Sequence, residues 1–343
     1  MKPKYMVVTA AASILVLGAC SDNGGSGPLL SADEADRQVF ATKADGSEFD
    51  SLLEALQEGP VYARRVTSAG VDENSTDDGL VYTLNQNDFS VQVNSLGDRE
   101  IAVTINGEEV ILTQADERDD FSWQIETIVP GSSEDSSFVS VFLFGSSIDE
   151  LYDNEGPRYL TRFGYFYDES FADDVNINGI AVVGTETRES ELDDRGDAVA
   201  TYSGRANLQV RQQGARFDEF DAFVNANIAM TADFGADTIA GTGDVTRVRE
   251  EASGEDFDPE GGLVFEETAI QGNAFSGDLN PDADLLTSAP ELSAVIGSST
   301  YSGAFYGPNA EEIGGVASGS AVVGEDEFLM WGSFQGEEVL APE

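Results

Sequence analysis

Carboxylates dominate the chemistry open to this sequence: 65 Asp and Glu stand among 343 residues, beside one cysteine and no histidine. The lack of histidine excludes a Ser-His-Asp or Cys-His relay and any imidazole metal ligand. A single cysteine excludes an internal disulfide and a thiolate zinc cluster. Paired carboxylates are what a glycosidase uses as acid and nucleophile, yet no spacing here sets two of them apart. Asp45-Gly46 opens like a calcium loop, but Leu52 stands where the bidentate glutamate belongs, which rejects an EF-hand. The acidic stretches Glu191–Asp197 and Asp282–Asp284 read as solvated loops. Arg195-Gly196-Asp197 spells an integrin tripeptide, a pattern of only three residues in an acidic turn. Tyr and Asp oxygens suit ferric iron, and again no spacing marks a site. The expectation is a protein without catalysis, with no metal site, no cofactor and no assigned ligand-binding residue. A formal charge of -48 argues against nucleic acid as partner, because phosphate binding needs clustered Lys and Arg.

The one residue with an assignable modification is Cys20. Lys2 and Lys4 precede an apolar run from Met6 to Leu17, too short to span a bilayer and suited to a secretory signal. The run ends Leu17-Gly18-Ala19-Cys20, with the chain's sole cysteine in last place. This resembles the lipobox of bacterial lipoproteins, which implies lipidation of Cys20 (palmitate among the acyl chains) and cleavage after residue 19. Ser21, rather than Asp, follows the cysteine. By resemblance to Gram-negative lipoproteins this implies the outer membrane, with periplasmic and surface-exposed orientations both open. The mature chain would keep 15 basic residues against 65 acidic ones. A surface so charged repels itself unless salt screens it, which suits a marine or salt-tolerant setting.

The elements that follow are mostly strands. Residues 1–19 read as signal peptide and 20–46 as a flexible tether, holding the folded body roughly 25–30 Å from the membrane. Phe49, Leu52, Leu53 and Leu56 predict one short amphipathic helix closed by Gly59-Pro60. From Val61 the pattern becomes period two. Strands are predicted at Leu80–Leu84, Phe89–Val93, Glu100–Ile105, Val110–Leu112, Phe121–Ile128 and Phe138–Leu143. Asn106-Gly107 is a two-residue hairpin signal. Tyr159, Phe163, Tyr165 and Tyr167 share one face of a further strand, more suited to packing than to a ligand. The acidic stretch 168–178 divides a β-rich domain, 47–172, from a second one, 173–343.

In the second domain Tyr202, Gly204, Ala206, Leu208 and Val210 alternate with polar residues, as do Ala226, Ile228, Met230, Ala232 and Phe234. Further strands are predicted at Gly179–Thr187, Thr238–Val248, Leu263–Ile270, Ala274–Leu279, Ala294–Phe305, Gly314–Val323 and Phe328–Gln335, with no helix. Small residues such as Gly204, Gly241, Gly277 and Gly303 suit a tightly curved sheet. The fold class is therefore mainly β: an eight-stranded antiparallel up-and-down β-barrel after a β-rich N-terminal domain with one short helix.

Three segments carry a family likeness. Residues 302–315, Ser-Gly-Ala-Phe-Tyr-Gly-Pro-Asn-Ala-Glu-Glu-Ile-Gly-Gly, resemble the closing signature of the transferrin-binding protein B-like barrel domain. Thr231-Ala232-Asp233-Phe234-Gly235 with Ile239–Gly243, and Ile270–Asp278, resemble its upstream strand pairs. The likeness covers roughly residues 175–343 and makes residues 48–170 a candidate handle domain. Physically, Asn309 suits an N-cap, Ala310-Glu311-Glu312 a first helical turn, and Gly314-Gly315 the release into the next strand. The resemblance implies a surface lipoprotein that captures a protein or iron-bearing ligand and can pass it to an outer-membrane transporter. A solute-binding barrel and a structural or adhesive envelope lipoprotein are the alternatives.

Overall fold

A computed structural model of the protein describes residues 38–64, 67–76, 79–85, 91–97, 100–105, 108–112, 117–119, 122–127, 137–143, 158–168, 175–213, 221–250 and 256–340. Helix α1 (Leu52–Glu58) forms where the leucine spacing predicts it. Ser51 caps it by accepting from the Glu54 N–H, Gly59 ends it, and Leu52, Ala55 and Leu56 turn inward. Eleven strands follow: β1 (Val61–Tyr62), β2 (Ser68–Thr76), β3 (Gly79–Asn85), β4 (Val91–Gly97), β5 (Glu100–Ile105), β6 (Glu108–Leu112), β7 (Glu117–Asp119), β8 (Ser122–Thr127), β9 (Ser137–Leu143), β10 (Leu160–Asp168) and β11 (Val175–Gly184). They build a four-stranded sheet, β1-β4-β5-β6, and a seven-stranded sheet, β3-β2-β11-β10-β9-β8-β7. Ile105 pairs with Glu108, flanking Asn106-Gly107, which themselves lie outside the described residues.

Two features depart from the pattern reading. β2, Ser-Ala-Gly-Val-Asp-Glu-Asn-Ser-Thr, lacks alternation and gives no strand signal, yet it pairs along its length with β3 and β11. The strand expected at Gly179–Thr187 is β11, and it pairs with β10 and β2 in the seven-stranded sheet instead of with a barrel strand. Its apolar run Ile180–Val183 is buried throughout, with Ile180 and Val182 packed against the barrel.

After α2 (Glu189–Asp194) come β12 (Val199–Gln212), β13 (Asp221–Asp233), β14 (Thr238–Glu250), β15 (Asp256–Phe257), β16 (Gly262–Gln271), β17 (Ala274–Pro281), α3 (Ala283–Ser288), α4 (Pro290–Ile296), β18 (Ser299–Tyr306), β19 (Glu312–Val323) and β20 (Asp326–Glu338). Each long strand pairs antiparallel with its sequence neighbour, β14 pairs with β16, and β12 pairs with β20. The result is a closed eight-stranded barrel, with β15 as a short extension on β14. The predicted strand Ala294–Phe305 is wrong at its start: Ala294–Ile296 end α4, and the strand begins at Ser299. The expectation of no helix also fails. Asp282 caps α3 by accepting from Asp284 and Leu285 N–H, and Pro290 starts α4, signals hidden by the acidic loop reading.

Described side chains fill the barrel interior. Tyr202, Leu208, Ile228, Met230 and Phe234 point into one core with Phe265, Phe275, Tyr301, Phe305 and Phe334. Their rings touch in series: Phe265 lies 5.1 Å from Tyr301, Phe275 5.5 Å from Phe305, and Phe234 5.6 Å from Phe305. Leu285, Leu292, Val295 and Ile296 of α3 and α4 join the same cluster and close one end.

The seven-stranded sheet lies against the outer wall of β18–β20. Ala69 and Ile180 pack on Val316, Leu329 and Trp331; Tyr159, Leu160 and Val182 pack on Ala304 and Tyr306. That wall is thus buried on both sides, and its glycines are explained by space. A methyl on Gly315 would sit 2.1 Å from the Ser302 carbonyl oxygen and 2.6 Å from the Phe334 ring. One on Gly314 would meet Leu160 and Val182 at 2.9 Å.

Candidate functional site

The signature segment 302–315 is a junction between the two halves of the chain. β18 delivers Tyr306 to the barrel end and β19 returns from Glu312. Between them the chain makes a tight turn, not the expected helical turn. Gly307 and Ala310 both take positive φ, and the Glu311 carboxylate accepts from the Asn309 backbone N–H at 2.9 Å. The turn is held from two sides. Tyr202 donates its hydroxyl to the Ala310 carbonyl at 2.8 Å, and Thr187 donates to the Gly307 carbonyl at 2.7 Å. Gly314-Gly315 lie inside β19, and they serve close packing instead of release from a turn.

Glu312 carries the junction's most unusual environment. It is buried, stands opposite Glu337 on β20, and accepts backbone N–H bonds from Arg158 (2.5 Å), Tyr159 (3.1 Å) and Leu160 (3.1 Å). A barrel carboxyl therefore caps the start of β10 in the other sheet. Burial pushes its pKa up to about 8, and the facing Glu337 adds to this against the pull of the three amides. Beside it, Leu160, Ser203, Gly204, Gln335, Gly336 and Glu337 line a cleft with about 30 Å³ of space, room for a water or two.

A buried ion pair sits on the other side of the turn. Arg64 donates to Glu186 at 2.5 Å, and Glu186 also accepts from Gln38 (2.6 Å) and Asn273 (2.8 Å). Asn273 belongs to the β16–β17 turn, Arg64 precedes β2, and Glu186 lies in the strap after β11, so three parts of the chain meet. Residues 39–41, inside the stretch read as tether, bond to Glu186 through Val39 and Ala41. Arg162 of β10 makes a third bridge, donating to Gln335 (2.7 Å) and Asn207 (2.9 Å) on the barrel wall. Sequence patterns give no hint of these contacts, because the partners stand far apart in the chain. A charged residue inside an apolar strand, such as Arg162, is the only available signal.

Of the sequence candidates, Arg195 is committed to structure: it pairs with Glu338 at 2.5 Å and lies over the Phe234 ring. Such use of Arg195 removes the integrin reading of residues 195–197. Glu191 accepts from the Arg188 backbone N–H at the head of α2, and Asp282 caps α3. No cluster of metal-ligating side chains occurs among the described residues. Cys20 and the rest of residues 1–37 lie outside the described residues, as do the side chains of Phe163, Tyr165 and Tyr167. Among the described residues no helix is long and apolar enough to cross a membrane.

The barrel's two ends differ. The end at the junction is closed by short connections, residues 234–237, 272–273 and 307–311. The opposite end carries the longer ones: 213–220, 251–261 with β15, and 282–298 with α3 and α4. A barrel with its longer connections gathered at one end is an arrangement suited to binding.

No curated protein matches this chain. Among solved structures, transferrin-binding protein B of Haemophilus parasuis aligns over 80% of this chain at 14% identity, TM-score 0.44. The protein of the same name from Neisseria meningitidis aligns over 80% at 18% identity, TM-score 0.41. HpuA of Kingella denitrificans, solved with human haemoglobin, aligns over 88% at 10% identity, TM-score 0.39. The chain spans 46% and 44% of the two transferrin-binding proteins and 94% of HpuA. Residues 196–337 match the family model described as the C-lobe and N-lobe β-barrels of transferrin-binding protein B. The matched segment begins just before β12 and ends within β20, the whole circuit of the closed barrel, and on that match the C-terminal half of this chain is a barrel of the transferrin-binding protein B-like family.

Proposed function

We propose that this protein is a non-catalytic, lipid-anchored lipoprotein of the outer membrane that captures a protein or iron-bearing ligand. Cys20 is the lipid anchor. The ligand is met by the long connections at the barrel end away from the junction, and an outer-membrane transporter is the natural recipient. The observation that supports this most is the filled barrel. An aromatic core from Tyr202 to Phe334 leaves a solute no room inside, so recognition falls to the outer surface. The family of the barrel, named for binding transferrin, agrees with a protein ligand.

The test is capture from iron-starved cells and their medium, with the detergent-extracted lipoprotein as bait at native salt. Recovery of one specific protein or haem-type partner is the expected result. That partner should be lost, with the melting temperature unchanged, in Leu286→Asp, an exposed position of α3. A blank across iron-replete and iron-starved conditions would overturn capture and leave the structural or adhesive reading.

A further inference from the structure

A sheet edge without a partner is a template for further pairing, and folded proteins guard such edges with brevity, charge, proline or a bulge. Among the described residues the closed barrel leaves an edge only at the two-residue β15, and the two N-terminal sheets leave four. Three of the four are guarded. β1 is two residues long and follows Pro60. β6 opens with Glu108-Glu109. β7 is three charged residues, Glu117-Arg118-Asp119, and its register against β8 is irregular. β3 has none of these devices. It reads Gly-Leu-Val-Tyr-Thr-Leu-Asn, seven residues without charge or proline on a chain of which 24% is charged. All seven pair with β2 in unbroken register, from Gly79 opposite Thr76 to Asn85 opposite Gly70. On its other side β3 has no strand partner among the described residues.

We infer that β3 pairs antiparallel with β3 of a second copy of this chain, about a two-fold axis through Tyr82, joining two seven-stranded sheets into one. The strand's own sequence selects this occupant. Leu80 mirrors Leu84 about Tyr82, and Val81 mirrors Thr83. In the two-fold pair each Leu80 therefore stands opposite a Leu84, each Val81 opposite a Thr83, and the two Tyr82 meet at the axis. A two-fold at any other point leaves part of the seven residues unpaired. Leu84 already packs on the cluster of Ala69, Ile180 and Trp331, so a leucine set opposite it lengthens an apolar row that each copy begins. Charge makes the same selection. Two bodies of net charge -48 repel, and pairing through β6 or β7 would bring acids into the ladder, whereas β3 brings none. Salt then governs association, because the Debye length falls from about 10 Å at 0.1 M to about 3 Å at 1 M. A foreign partner drawn by the chain's acidity would instead be lost as salt rises. The inference rests on the N-terminal sheet alone and is independent of ligand capture by the barrel.

The experiment cross-links the full mature protein through introduced cysteines, with diamide as oxidant at about 1 M NaCl. Wild type, whose Cys20 every variant shares, sets the background. Residues opposite each other in an antiparallel pair have Cα atoms about 4.5–5.5 Å apart, within disulfide reach. Tyr82→Cys should therefore form a covalent dimer, and a mixture of Leu80→Cys with Leu84→Cys should form a mixed one. Leu80→Cys alone and Leu84→Cys alone should stay at background, since like positions then lie about 14 Å apart along the strands. Sedimentation velocity of the wild type should show monomer at about 0.1 M NaCl and a concentration-dependent dimer at about 1 M. Wild type that stays monomeric at every salt would overturn the inference. So would cross-linking that is equal in all the cysteine samples, wild-type assemblies larger than a dimer, or association that weakens as salt rises.

Discussion

Single residues decide how the two halves meet. Glu312 is the clearest case, because its pKa in the folded state, about 8, lies above the ordinary carboxyl value of about 4.3. The fold thus favours its protonated form. That contribution is complete below about pH 4.3 and is lost as pH rises through about 8. Melting temperature should accordingly fall between pH 5 and 9 more steeply in wild type than in Glu312→Gln, which cannot ionise; parallel curves would remove the assignment. Gly315 makes a simpler point. Its Cβ would strike the Ser302 carbonyl in the neighbouring strand, a backbone atom that cannot move alone. Gly315→Ala should therefore cost about 3 kcal/mol or more in urea unfolding. Gly324→Ala, in open space at positive φ, should cost about 1 kcal/mol. The buried pair Arg64–Glu186 gives a third test. Arg64→Leu leaves the carboxylate buried without its cation and should cost about 3–5 kcal/mol, and Arg64→Leu/Glu186→Leu should recover most of that. An additive double variant would mean that the pair does not act as a unit.

At the scale of elements, legibility in the sequence follows how each element is buried. β12 and β13 bury one face and wet the other, so their period-two pattern reads directly as strand, and the closed barrel follows from the count and the small residues. α1 is legible because its leucines and caps are local. β2 is not, since its polar sequence is held in place by ladder bonds to β3 and β11 and shows no alternation. The short helices α3 and α4 also escape, because their caps sit in a stretch whose acidity reads as loop. The functional surfaces divide the same way. The expectation for Cys20 rests on its neighbours in the chain alone, whereas the junction of Arg64, Glu186, Asn273 and Glu312 exists only once distant segments are folded together.

For the whole molecule, charge sets behaviour. With 65 acids against 17 bases, screening should raise the melting temperature as NaCl goes from about 0.1 M to 1 M and the Debye length falls from about 10 Å to 3 Å. A flat or falling curve would remove salt adaptation from the account. Cys20→Ala should move the protein from the membrane fraction to the soluble one, and retention in membranes would refute lipidation. The seam of the barrel has a consequence in time. β12 closes against β20, with Tyr202 opposite Glu338, so the first barrel strand waits for almost the last residues of the chain. Until β20 is in place, β12 offers an open edge. Folding should be slow, limited by this long-range closure, and deletion of residues 326–343 should leave no stable barrel. During that wait the mutual repulsion of so many carboxylates keeps unfinished chains apart, a protection in the unfolded state that the finished structure no longer needs.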